Sequence, residues 1–137
     1  MTFLKKYCPL FLILALASAL RIHLLLVRGT FWFDETFSVH FSSLPLKDAL
    51  RYWMLETNPP FYTFFLRFWL ALIKTDNELL VRLPSLIAGI ASIALLYFFA
   101  QKFFSRRAAI VASLFFALSD ITIFLNTEAR GYSFLVF

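Results

Sequence analysis

Long apolar runs separated by short polar clusters organise this chain. The first run, residues 8–27 (CPLFLILALASALRIHLLLV), is long enough at about 1.5 Å per residue to cross a hydrocarbon core of roughly 30 Å as a helix. From Leu44 to Thr57 the apolar positions Leu46, Ala49, Leu50, Trp53 and Met54 recur at helical spacing between Lys47, Asp48, Arg51 and Glu56. That pattern predicts an amphipathic helix lying in the interface plane. Asn58-Pro59-Pro60 then opens a short apolar stretch over 59–73 that carries Arg67 near its centre; Asn can cap it, and a proline in the first turn loses no intrahelical bond. Two further runs, about 79–100 and 108–125, are long enough to span, and SFLVF starts another near 132–137. The expected fold is all-α: a multi-pass transmembrane helical protein with interfacial helices in its first external loop, residues 28–77.

Basic residues set the expected orientation. Lys5 and Lys6 precede the first run, and Lys102, Arg106 and Arg107 follow the second, so both ends read as cytoplasmic. An even number of crossings must lie between them, and zero is the simplest, because 59–73 is too short to hide two. A cleaved signal peptide fits the start less well: the apolar run exceeds the usual core, Arg21 and His23 interrupt it, and no small-residue cleavage site follows. Arg21 either snorkels to the far boundary or points inward as a cation near the acidic pair Asp34-Glu35.

The composition agrees with this layout. Of 137 residues 61% are hydrophobic and 20% aromatic, with 19 Phe and three Gly, well above the apolar share of an ordinary soluble domain. The net charge of +5 sits at the ends of apolar segments rather than in one patch, so it argues for topology and against nucleic-acid binding. Cys8 is the single cysteine, which excludes a disulfide framework within the chain.

Within FWFDETFSVH, residues 31–40, Asp34 and Glu35 stand together just beyond the first apolar run. Ionisable groups at a membrane boundary are functional-site candidates; the plain alternative is that Asp34 caps the helix that follows. The expected topology brings three stretches to one face: Asp34-Glu35, the Asn58-Pro59-Pro60 turn with Arg82 nearby, and Glu128 with Arg130. Carboxylates mixed with guanidinium groups at a lipid boundary suit a substrate with an anionic head and an apolar tail, such as a lipid-linked phosphate. Arginine's planar fork matches phosphate oxygens, and a carboxylate can accept a proton from an attacking hydroxyl.

In order, WFDE in the first external loop, a PPFY turn, VRLPSLIAG opening the next helix, a basic QKFFSRR hairpin and EARGY resemble the N-terminal part of the C-type (GT-C) integral-membrane glycosyltransferases. The nearest branch in likeness holds the protein O-mannosyltransferases and the lipid A aminoarabinose transferases. The resemblance implies transfer of a sugar from a polyprenyl-phosphate donor to a lipid, glycan or protein acceptor, with inversion, on the non-cytoplasmic face of the cell (plasma or inner) membrane. It implies Asp34 as catalytic base with Glu35 beside it, Arg130 and then Arg82 at the donor phosphate, and Asn58, Glu128 and Tyr132 in support. A phosphate leaves as a stable anion, so the acid–base pair of a glycoside hydrolase is not required.

Two positions depart from the family pattern. Asn58 stands where His is common before the two prolines, and it cannot titrate. Asp120 stands where many relatives have proline after the serine of the third helix; a capping role is favoured for it over an extra polar contact. No cofactor is expected, although Asp34 and Glu35 are of a type that binds hard divalent cations. Because the last apolar run is short, the chain reads as a fragment, expected to be inactive by itself. A transporter subunit is the alternative, with Arg21, Asp34, Glu35 and Arg130 along a solute path and broken helices in corresponding halves. A small structural membrane protein is the third.

Overall fold

A computed structural model describes residues 3–54 and 60–136, and every regular element among them is an α-helix. They are α1 (Phe3–Arg28), α2 (Phe33–Ser43), α3 (Leu46–Trp53), α4 (Phe61–Ile73), α5 (Glu78–Phe103), α6 (Arg106–Leu118), α7 (Asp120–Leu125) and α8 (Tyr132–Val136). Two are long and apolar enough to cross a membrane, Tyr7–Arg28 within α1 and the whole of α5. Helix α4 has 13 residues, about 20 Å of rise, short of the roughly 30 Å hydrocarbon core. The expected cap of α4, Asn58, and the 55–57 end of the expected amphipathic helix lie outside the described residues.

Local chemistry accounts for the helix ends. Gly29 stops α1 with φ +65°, a left-handed conformation that costs glycine nothing. The Asn77 side chain caps α5 by accepting from the amides of Leu79 and Leu80 at 3.1 and 3.3 Å, and Ser105 caps α6 through the Ala108 amide. Pro84, expected near the start of its helix, lies two turns inside α5. Proline has no N–H for the carbonyl four residues back, and that carbonyl, Leu80 O, is taken by the Trp69 indole N–H at 2.8 Å. The repair also ties α4 to α5.

Helices α1, α5 and α6 pack through small side chains. Ala17, Gly89, Ser92, Ala100, Ala109, Ser113 and Ala117 are buried along them, which lets backbones approach closely where no hydrophobic driving force acts between helices in lipid. Ile13, Ala17, Ile93 and Ala117 form one buried cluster, and Leu10, Tyr97, Ala100 and Ala109 continue it towards the α5–α6 hairpin. A third cluster, Tyr62, Leu66, Val81 and Ala129, joins α4 to α5 and to the turn after α7.

The run expected as one helix over 108–125 is broken at Ser119, whose ψ of 119° is extended. A break exposes carbonyls that a membrane cannot hydrate. Here the single Thr122 O–H lies within reach of both Phe116 O at 2.7 Å and Ser119 O at 2.9 Å, which share it, while Arg21 Nη1 donates to Ala117 O at 3.1 Å. Asp120 is the first residue of the short α7 behind N-cap Ser119, so it sits in the first turn, not at the cap.

Candidate active site

Asp34 and Glu35 are the second and third residues of α2, and neighbouring helix positions point about 100° apart. That rotation separates the pair. Glu35 turns inward and is completely buried, whereas the Asp34 side chain is 40% exposed.

Arg82, on the first turns of α5, grips Glu35 with two prongs: Nε to Oε1 at 2.8 Å and Nη2 to Oε2 at 2.7 Å. The Ala129 amide donates to the same Oε1 at 2.8 Å and the Trp32 amide to Oε2 at 3.3 Å. Burial alone would raise the Glu35 pKa, but these donors and the Arg82 charge outweigh it and hold the carboxyl below its ordinary value. Arg82 is itself 1% exposed, and it also donates to Gly29 O at 2.9 Å and Thr30 O at 3.2 Å. Four of the five N–H groups of a guanidinium are thereby engaged.

The Trp32 bond overturns the capping reading of Asp34. The N-cap of α2 is Trp32, and the orphan amide of that residue is satisfied by Glu35, three positions on, as in half of a capping box. Asp34 has no capping duty. Its Oδ2 lies 3.8 Å from Arg130 Nη2, longer than a charge-assisted hydrogen bond.

Arg130 reaches Asp34 from the turn between α7 and α8. Its Nη1 donates to the Asp34 carbonyl at 3.4 Å and Nη2 to the Tyr132 hydroxyl at 3.4 Å, with the guanidinium 5.4 Å from the Tyr132 ring centroid. The Arg130 carbonyl accepts from Ser85 Oγ at 3.3 Å, and Ser85 in turn meets the Tyr62 hydroxyl at 3.3 Å. Burial, the largest influence on that phenol, raises its pKa. Five of the residues singled out from the sequence, Asp34, Glu35, Arg82, Arg130 and Tyr132, are thus brought together by α2, α5, the turn after α7 and the start of α8.

Glu128 pairs with a different cation, Arg28. It is 1% exposed and pairs with Arg28 Nη2 at 2.9 Å; Arg28 also bonds Thr127 Oγ1 at 3.1 Å and lies 4.2 Å over the Phe124 ring. Burial raises the Glu128 pKa, and the Arg28 contact lowers it by less.

Arg21 points inward, but not towards the acidic pair. It is fully buried and donates to neutral acceptors: Asn126 Oδ1 at 3.0 Å, Ala17 O at 3.2 Å, Ala117 O at 3.1 Å and Thr122 Oγ1 at 3.4 Å. Asn126 passes the link on through Nδ2 to Ser133 Oγ at 3.2 Å. The broken helix, a feature shared with transporters, is therefore filled by the protein's own donors. Arg28 and Asn126 were not singled out from the sequence. A signal existed for Arg28, which lies seven residues from Arg21, two turns along the face of α1 that also buries Ala17.

Among the described residues no group of three or more His, Cys, Asp and Glu side chains converges as a metal site; with Glu35 engaged by Arg82, Asp34 is the carboxylate of the pair open to a cation.

The class this fold and site define is an all-α membrane protein with a half-exposed carboxylate, Asp34, beside a buried Arg82–Glu35 pair and Arg130. The family model for dolichyl-phosphate-mannose-protein mannosyltransferases matches residues 57–136, and the chain belongs to that family. Its function is accordingly of the GT-C mannosyltransferase type, a glycosyl transfer. No protein of curated function and no solved structure matches the chain.

Proposed function

We propose that Asp34 is the catalytic base of a sugar transfer from a polyprenyl-phosphate donor to an acceptor hydroxyl, with inversion, on the non-cytoplasmic face of the cell membrane. The observation that carries this reading is the contrast between the two neighbouring carboxylates. Glu35 is buried and engaged by the donors around it, while Asp34 remains half-exposed, without a capping partner, beside Arg130. A base must be reachable by the proton it takes.

In the proposed step the acceptor oxygen forms a bond to the anomeric carbon as its proton passes to the Asp34 carboxylate. The bond from that carbon to the phosphate oxygen breaks, and polyprenyl phosphate leaves as an anion. Arg130 stabilises the charge that grows on the phosphate. Arg82 and Glu35 act as positioning residues, because their mutual bonds leave little capacity for a ligand. Glu128 supports the turn that carries Ala129 and Arg130, and Tyr132 supports the Arg130 guanidinium. In the proposed topology α1, α5 and the α6–α7 pair cross the membrane, α2–α4 lie on its outer side and the N-terminus is cytoplasmic.

The test is Asp34→Asn in the full-length protein with a defined polyprenyl-phosphate sugar. Removing the base while keeping the shape should lower kcat by roughly 100-fold or more and leave donor binding and thermal stability near wild type. Near-normal turnover would move the base elsewhere.

A further inference from the structure

A second polar site lies at the opposite end of α2 from Asp34. Along the helix Ser42 is eight residues from Asp34, about 12 Å at 1.5 Å per residue. There a cleft of about 330 Å³ opens between the end of α2 and the end of α4, lined by Ser42, Ser43, Arg67, Lys74, Thr75 and Asp76 among others. Arg67 lies on α4 and Lys74 is the residue that ends it, and both line the cleft.

One end of Arg67 has a structural duty. Its Nη1 donates to Ser42 O at 3.3 Å and to Leu44 O, satisfying carbonyls left open where α2 stops. Its Nε and Nη2 make no hydrogen bond among the described residues. Lys74 is exposed and ends α4 with φ +51°, the left-handed region. A lysine there is strained where glycine would be at ease, and its ammonium forms no ion pair among the described residues. Asp76, the acid on the rim, leaves the three charged side chains with a net positive charge.

The neighbouring face of α4 distinguishes a lipid from a free ion. Phe61, Phe64, Phe68 and Leu72, at 67, 57, 69 and 63% exposure, recur at helical spacing on the helix that carries Arg67. A cationic cleft adjoining an exposed apolar stripe on a helix too short to span is the form of an interfacial lipid contact.

We propose that this cleft binds the head group of an anionic membrane phospholipid, whose acyl chains lie along the phenylalanine stripe. Arg67 and Lys74 take the phosphodiester, and Asp76 accepts from a head-group hydroxyl of the kind phosphatidylglycerol carries. The site fixes the depth of α4 at the interface and does not depend on the chemistry assigned to Asp34.

Thermal unfolding of the full-length protein in a neutral maltoside detergent tests this, with phosphatidylglycerol, phosphatidylcholine or inorganic phosphate added in parallel. Binding to the folded state raises Tm in proportion to the logarithm of ligand over Kd. Phosphatidylglycerol should raise Tm more than either comparison. Lys74→Asn removes the charge while tolerating the left-handed backbone, so it should fold normally and bind phosphatidylglycerol about fivefold more weakly; Lys102→Gln, on α5, should respond as wild type. An equal shift with phosphatidylcholine or with inorganic phosphate would overturn the assignment, as would an undiminished shift in Lys74→Asn.

Discussion

Replacing Arg82 by Met is expected to do more damage than any other single change at the site. The substitution keeps an apolar stem of similar length and deletes the two-pronged contacts at 2.8 and 2.7 Å. Glu35, completely buried, would be left with the Ala129 and Trp32 amides alone, while Gly29 O and Thr30 O would lose their donor. Stranding one member of a buried ion pair costs about 3–5 kcal/mol, against roughly 0–1 kcal/mol for an exposed pair. In a thermal melt in mild detergent this is a Tm lower by roughly 10 °C or more for a domain of this size. Adding Glu35→Gln should recover part of the loss, since the carboxylate that had no partner is then neutral, and the coupling should exceed about 1 kcal/mol. Turnover should fall with stability in Arg82→Met, unlike in Asp34→Asn, where turnover alone falls. A single-variant cost below about 1 kcal/mol, or strict additivity in the double variant, would refute the claim that this pair anchors α2 to α5.

The Glu35 carboxyl is held below its ordinary range despite burial, so its stabilisation is complete above the unfolded carboxylate value of about 4.3 and is lost as pH falls through the lower folded value. Acid melts of Glu35→Gln should therefore be flatter in that window than wild type. Glu128 has the opposite sign: its folded value is raised, so ionising it opposes folding and Glu128→Gln should gain relative stability as pH rises through that value. Gly89→Ala should destabilise by about 1–3 kcal/mol, because the added Cβ would lie 2.2 Å from Asn126 Cγ and drive that side chain off Arg21; a wild-type Tm would contradict the close approach. A cysteine at Thr75, in a background without Cys8, should react with an impermeant thiol reagent from outside the cell, and labelling only after the cytoplasm is opened would sink the proposed topology.

Much of the secondary structure was legible in the residues because its causes are local. Apolar runs mark α1, α4 and α5, and the start of α6, within a few positions of where they lie. The break at Ser119 was not legible: an apolar run reads as continuous, and the break is stable because Arg21, nearly a hundred positions earlier in the chain, satisfies Ala117 O. The adjacent carboxylates were visible as a candidate pair, but their different environments were not. A string of letters records that Asp34 precedes Glu35, whereas one helical step of about 100° decides which enters the protein, and only the packing of α2 on α4, with Arg82 reaching across from α5, fixes the phase of that rotation. Partner choice was likewise undetermined, since several arginines lie within plausible reach of each acid on any layout of the helices. Arg82 meets Glu35 and Arg28 meets Glu128 because helix packing brings those positions to one depth, a property of the assembled bundle that no local stretch encodes.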